Sequence, residues 1–155
     1  MQHAGHRFQQ KRALQRARLQ LTYTICFYTG CRINDASILT KDDIINAQAA
    51  GQITLIHTKT KHSQVHYISD SGIRKLKSLQ PQIDFVFKES QFLFGNKDTP
   101  YHPRSVIRIV NRDLQHTCNI TNQNLNIKSH SYRAGFITSM LENHVPINQV
   151  AHIIC

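Results

Sequence analysis

Apolar and polar positions divide the chain into helical stretches interrupted once by a pair of strand-like runs. Residues 7–28 contain no glycine or proline and predict a helix that Gly30 ends. Its first half is basic, with Arg7 and Lys11, then Arg12 and Arg16, sharing faces at i, i+4 spacing. Its second half, residues 19–28, is largely apolar and predicted to be buried. A short helix over 35–39 follows, with Asn34 as its expected N-cap. Thr40-Lys41-Asp42-Asp43 resembles a capping box with Asp in place of the usual Glu.

Residues 52–58 and 65–69 have strand character and flank a polar turn holding Lys59, Lys61 and His62, which predicts a hairpin. Ile73, Leu76 and Leu79 mark one face of a helix expected to stop near Pro81. Phe92-Leu93-Phe94-Gly95 predicts a short extended piece ending in a turn. Pro103 is placed as the first residue of a helix reaching about His116, with Val106, Ile109, Val110 and Leu114 inward. Residues 117–126 are expected to form a loop. A helix over 130–143 should bury Phe136, Ile137, Met140 and Leu141, and another begins after Pro146. The predicted fold class is mainly α with one small antiparallel β-hairpin, in a single domain spanning residues 1–155.

Charge narrows the function. Nineteen Lys and Arg against nine Asp and Glu give +10 in 155 residues, a balance suited to a polyanionic partner. A basic ribosomal protein or plain solubility would also satisfy it. Four cysteines, Cys26, Cys31, Cys118 and Cys155, form no CxxC pair and suggest no disulfide framework. A reducing, intracellular setting is the simpler expectation. His116 and Cys118 are two potential zinc ligands where three or four are needed, so no metal is expected. The apolar stretches are too short to span a bilayer, and residues 1–18 lack the hydrophobic block of a secretory signal. No membrane, small-molecule substrate or cofactor is implied.

Three separated segments carry candidate chemistry. Tyr28-Thr29-Gly30-Cys31-Arg32-Ile33-Asn34-Asp35 places Arg32 at the mouth of a helix, with Asp35 able to hold it or to favour its own first turn. Thr58-Lys59-Thr60-Lys61-His62 puts lysines on a projecting turn, where most lysines serve only solubility. Ser129-His130-Ser131-Tyr132-Arg133-Ala134-Gly135-Phe136 sets His130 and Arg133 at i, i+3 near a helix N-terminus, where both can address one phosphate. Taken singly, each segment has an ordinary structural explanation.

Their order carries more weight. Arg32, then Lys59, then the His130–Arg133 pair, resembles the catalytic domain of the tyrosine recombinases, the phage-integrase family. Residues 28–35 resemble its Thr-Gly-x-Arg-x-x-Glu block, with Asp35 for the glutamate. Residues 56–68 resemble its lysine-bearing hairpin, 92–106 its Leu-Phe segment leading into a helix, and 129–138 its His-x-x-Arg block. The resemblance runs from about residue 8 to 155. It implies that Arg32 and Arg133 stabilise charge on the phosphoryl oxygens, a task suited to permanently ionised, forked guanidinium groups. It also implies that His130 binds the phosphate and assists proton movement, that Lys59 is the general acid for the leaving 5′ oxygen, and that Asp35 orients the site. Lys61 stays open as the alternative to Lys59.

In that family a further His or Trp and then the nucleophilic tyrosine follow the His-x-x-Arg helix. Counting from His130 places both beyond Cys155, and none of Tyr23, Tyr28, Tyr67, Tyr101 or Tyr132 lies after the block. No nucleophile is assigned. The domain is expected to be incomplete at its C-terminus, to lack the N-terminal DNA-clamping domain, and to be unable to cleave DNA alone. The resemblance implies double-stranded DNA as partner, with other recombinase subunits on it, in the bacterial cytoplasm or an organelle. The alternatives are a non-catalytic DNA-binding remnant or regulator and, ranked lower, a type IB topoisomerase-like domain.

Overall fold

The structure, a computed structural model, describes residues 2–58, 60–123 and 125–154. Helix α1 (Gln2–Thr29) is the axis of the molecule. Its basic first half is exposed, whereas Leu19, Leu21, Ile25 and Cys26 enter the core. Around that half pack α2 (Ile33–Ser37), α4 (Asp70–Ser78), α5 (Gln80–Val86) and α7 (Ser131–Glu142). Helix α6 (Pro103–Ile120) lies against α2, and α3 (Lys41–Ala50) packs on β1 (Gln52–Ile56) and α4. Strand β1 pairs antiparallel with β2 (Ser63–Tyr67), Thr54 opposite Val65, and α8 (Ile147–Ile154) follows α7. The chain is thus mainly helical with a two-stranded antiparallel sheet, as the periodicity predicts.

Local chemistry explains most boundaries. The capping box forms: Thr40 Oγ1 accepts from the Asp43 amide while Asp43 Oδ2 accepts from the Thr40 amide at 2.8 Å. Pro103 occupies the first turn of α6, where its missing N–H leaves no donor unpaired. Four sequence expectations need correction or addition. Asn34 is not a cap, because α2 begins at Ile33 with Arg32 in the N-cap position. The helix expected to stop near Pro81 does so, α4 ending at Ser78, but Pro81 then sits in the first turn of an unforeseen helix, α5, tolerated there for the same reason as Pro103. Residues 117–120, read as loop, extend α6, and Cys118 is buried on the same face as Val110 and Leu114. Finally, α7 buries no residue fully: Phe136, Ile137 and Met140 are half-buried and Leu141 is exposed.

Arg18, at the end of the basic half of α1, is buried. Its Nη1 donates to the Tyr101 hydroxyl at 3.1 Å and its Nη2 to the Gly95 carbonyl. The guanidinium also lies over the Tyr101 ring, 5.2 Å from its centre. Arg18 therefore fixes the turn after Leu93 and Phe94 to α1. Cys26 and Cys31 are buried thiols with sulfurs 3.6 Å apart, and their mutual hydrogen bond and burial push the Cys26 thiol up. No helix among the described residues is long and apolar enough to cross a membrane.

Candidate phosphate-binding site

The turn between α1 and α2 sets the geometry. Gly30 closes α1 by donating to the Cys26 carbonyl at 2.9 Å and takes φ +66°, a conformation that glycine adopts without steric cost. A Cβ at this position would land in the Phe136 ring of α7. That close approach lets Arg133 Nη1 donate to the Gly30 carbonyl at 3.3 Å. Two residues on, Arg32 stands at the N-cap of α2 with an extended backbone and a side chain 45% exposed. Both predicted arginines thus flank one tight turn, although their positions differ by about a hundred residues in sequence.

Asp35 fixes the floor. Only 1% exposed, its Oδ1 accepts from the Thr58 amide at 3.0 Å and the Thr58 hydroxyl at 3.1 Å. Its Oδ2 meets His57 Nδ1 at 2.8 Å and Arg32 Nη1 at 4.0 Å. One carboxylate therefore ties the arginine-bearing helix to the base of the hairpin turn. Aspartate closes this network despite being one methylene shorter than the glutamate of the resembled motif. Lys59, next to Thr58, lies outside the described residues. Lys61 is exposed in the turn at φ +60°, its amide donating to the His57 carbonyl at 2.8 Å.

His130 is exposed at the N-cap of α7, one helical turn ahead of Arg133. The approach to it is anchored by the Ser129 amide, which donates to Asn111 Oδ1 of α6 at 2.9 Å. Asn111 also lines an open groove of about 470 Å³ between α2 and α6, together with Asn34, Pro103, Arg104, Ile107 and Arg108. Asn34, two residues after Arg32, and Asn111, which holds the amide before His130, both line this groove, with Arg104 and Arg108 supplying positive charge. No direct contact joins His130 to Arg32, Asp35 or Arg133 among the described side-chain hydrogen bonds.

Sequence reasoning missed the histidines on the inner face of the hairpin. His57 continues the inward phase of Ile53 and Leu55, and His66 is 2% exposed. His66 Nδ1 lies 3.1 Å from the Thr29 carbonyl, while its Nε2 is buried with no partner. Burial lowers the His66 pKa below its ordinary value of 6.5; the Thr29 carbonyl opposes this, and His57 and Arg133 reinforce it. The unfolded chain therefore binds this proton more readily, so the His66 contribution to stability is intact above about pH 6.5 and is lost as pH falls below it. Thermal unfolding across that range should show a steeper acid-side fall for the natural chain than for His66→Gln, which keeps a donor without titrating. Equal slopes would exclude a native-state penalty for protonating His66.

The five tyrosines have other places. Tyr23 and Tyr132 stack with ring centres 5.0 Å apart, and the Tyr23 hydroxyl donates to Asp113 at 2.8 Å. Burial raises both phenols, Tyr132 to about 12, so they are held neutral. Tyr28 packs beside Gly72 and Tyr101 beside Arg18, whereas Tyr67, 78% exposed, is on the outer sheet face away from His66. No cluster of three or more potential metal ligands occurs among the described residues.

The family profile of the phage integrases matches residues 6–154. The chain belongs to the phage integrase family. In structure it is similar to XerA recombinase, with a TM-score of 0.63, 18% identity, and coverage of 94% of this chain and 53% of that one. It is also similar to XerH site-specific recombinase bound to difH substrate in a pre-cleavage complex, with a TM-score of 0.63, 19% identity, and coverage of 91% and 40%. A post-cleavage XerH complex with palindromic difH substrate gives a TM-score of 0.61 at 19% identity, covering 88% of this chain and 38% of that one. The chain thus spans about half or less of the length of these relatives. No curated protein shows significant similarity to it.

Proposed function

We propose that this chain binds duplex DNA through its backbone and supplies the phosphate grip for strand cleavage and rejoining through a 3′-phosphotyrosyl link. The observation that carries this reading is the pairing of Arg32 and Arg133 across the Gly30 turn, with Asp35 beneath Arg32. Two guanidinium groups on one side of a phosphate stabilise the charge that grows on its oxygens during attack. His130, exposed at a helix N-terminus, adds a donor to the same anion. Lys59 is assigned as the general acid, with Lys61 in reserve, because Asp35 holds the hairpin base beside Arg32. The groove lined by Arg104 and Arg108 extends the cationic surface along a DNA backbone.

The tyrosine placements favour binding without cleavage for the 155-residue chain by itself, since a phosphate clamp without a free phenolate has no attacking group. Titrating a labelled duplex at several salt concentrations tests both halves. Log affinity is expected to fall linearly with log salt, by about 0.9 per neutralised phosphate. Arg32→Ala with Arg133→Ala should make that slope shallower by about two such contacts. A salt-independent affinity would remove the DNA reading, and a covalent protein–DNA adduct would overturn the absence of a nucleophile.

A further inference from the structure

We infer that His57 is a positioning residue, a buried imidazolium protonated on both nitrogens that links Asp35 to the last turn of α8. The argument rests on which atoms can donate. Gln64 of β2 places its Nε2 3.0 Å from the carbonyl oxygens of both His152 and Ile153. Carbonyls only accept, so the nitrogen end of the amide must face α8. That leaves Gln64 Oε1 against His57 Nε2, at 2.8 Å. An amide oxygen also only accepts, so Nε2 carries a proton.

The other side of the ring gives the same answer. His57 Nδ1 lies 2.8 Å from Asp35 Oδ2, and the remaining polar neighbours of that carboxyl are all donors: the Thr58 amide, the Thr58 hydroxyl and the Arg32 guanidinium. Asp35 is therefore an acceptor, and Nδ1 carries a proton too. A neutral tautomer would set a ring lone pair against an oxygen in a residue 4% exposed, where water cannot repair the mismatch.

The charges around the ring fit this state. Asp35 supplies the countercharge from α2. His66 of β2, edge-on with ring centres 6.4 Å apart, is held towards its neutral form by burial and by its cationic neighbours. Arg32 and Arg133 are the other cations on this side. Gln64 meanwhile serves the His152 and Ile153 carbonyls of α8. A continuous path thus runs from Arg32 through Asp35, His57 and Gln64 to α8. Moving α8 withdraws Gln64 and strips the imidazolium of one of its two acceptors, so the seat of Asp35 depends on where α8 lies.

Only the last consequence, that α8 thereby influences the phosphate grip, rests on the proposed function. The ring state is read from nitrogen-15 spectra of the intact chain at neutral pH. His57 is expected to show two slowly exchanging ring N–H protons and the near-equal nitrogen shifts of an imidazolium. Gln64→Glu keeps an acceptor for His57 but removes the donors to α8. The imidazolium signature should persist in it, while exchange of the Val150 amide accelerates about tenfold. Gln64→Leu should accelerate that exchange as much and also remove one slow ring proton. A single ring proton with the split shifts of a neutral tautomer in the natural chain would overturn the inference. So would unchanged Val150 exchange in both variants. Failure to bind DNA would sink the functional reading while leaving these spectra as they are.

Discussion

Asp35→Asn is expected to lower folding stability by about 3–5 kcal/mol, the usual cost of removing one partner of a buried ion pair. The carboxylate accepts two bonds from Thr58, faces His57, and is 1% exposed, so no water can replace it. Asparagine retains an acceptor for Thr58 but leaves the imidazole without a countercharge. Natural domains have about 5–15 kcal/mol in total, so the loss should be obvious as a lower midpoint in urea unfolding with little change in slope. Pairing the change with His57→Leu removes both buried polar partners and should recover part of the loss. A drop below about 1 kcal/mol, the scale of an exposed ion pair, would mean that Asp35 is solvated and that the path from α2 to the hairpin does not exist.

Gly30→Ala should be the second severe change, at about 2–5 kcal/mol. Two independent terms add. A non-glycine residue at φ +66° costs about 1–2 kcal/mol, and forcing a methyl into the Phe136 ring costs about 1–3 kcal/mol. Phe136→Ala in the same chain relieves the second term and not the first, so the double variant should lose less than the two single losses summed. Denaturant unfolding of the four chains measures this directly, and strict additivity would show that Phe136 does not pack on Gly30. Since Arg133 donates to the Gly30 carbonyl, the substitution should also weaken DNA binding more than an equally destabilising change elsewhere.

Much of the framework was legible because local rules and tertiary packing agree in it. The Thr40–Asp43 box, Pro103 at the start of α6, the hairpin and the apolar half of α1 all follow patterns confined to a few residues. The errors and omissions arise where such rules conflict. Pro81 can end one helix or open another, and only the packing of α5 against α1 decides. The polar stretch after His116 stays helical because Cys118 continues the buried stripe of α6. At the site, motif order identified Arg32, Asp35, His130 and Arg133 as residues to look for. It could not reveal how they are held, because the supporting groups are His57, Gln64 and His66. Strand alternation did contain a signal: two histidines occupy inward-phase positions of a hairpin, where apolar residues are the rule. The burial of Arg18 was not legible because nothing local to α1 announces Tyr101 and Gly95, which reach it only in the folded chain.

The two arginines are mounted on supports of unequal stiffness. Arg32 stands beside Cys31 and Ile33, both deep in the interior, above a carboxylate locked by several donors. Arg133 rides on a helix with no fully enclosed side chain, attached along one flank through Tyr132, Phe136 and the Gly30 carbonyl. A segment with so little enclosed apolar surface opens at a smaller free-energy cost than the interior does. In the proposed phosphate grip, Arg32 would therefore be a fixed anvil and Arg133 a yielding jaw: an arriving anion would meet one cation already set and spend part of its binding energy seating the other.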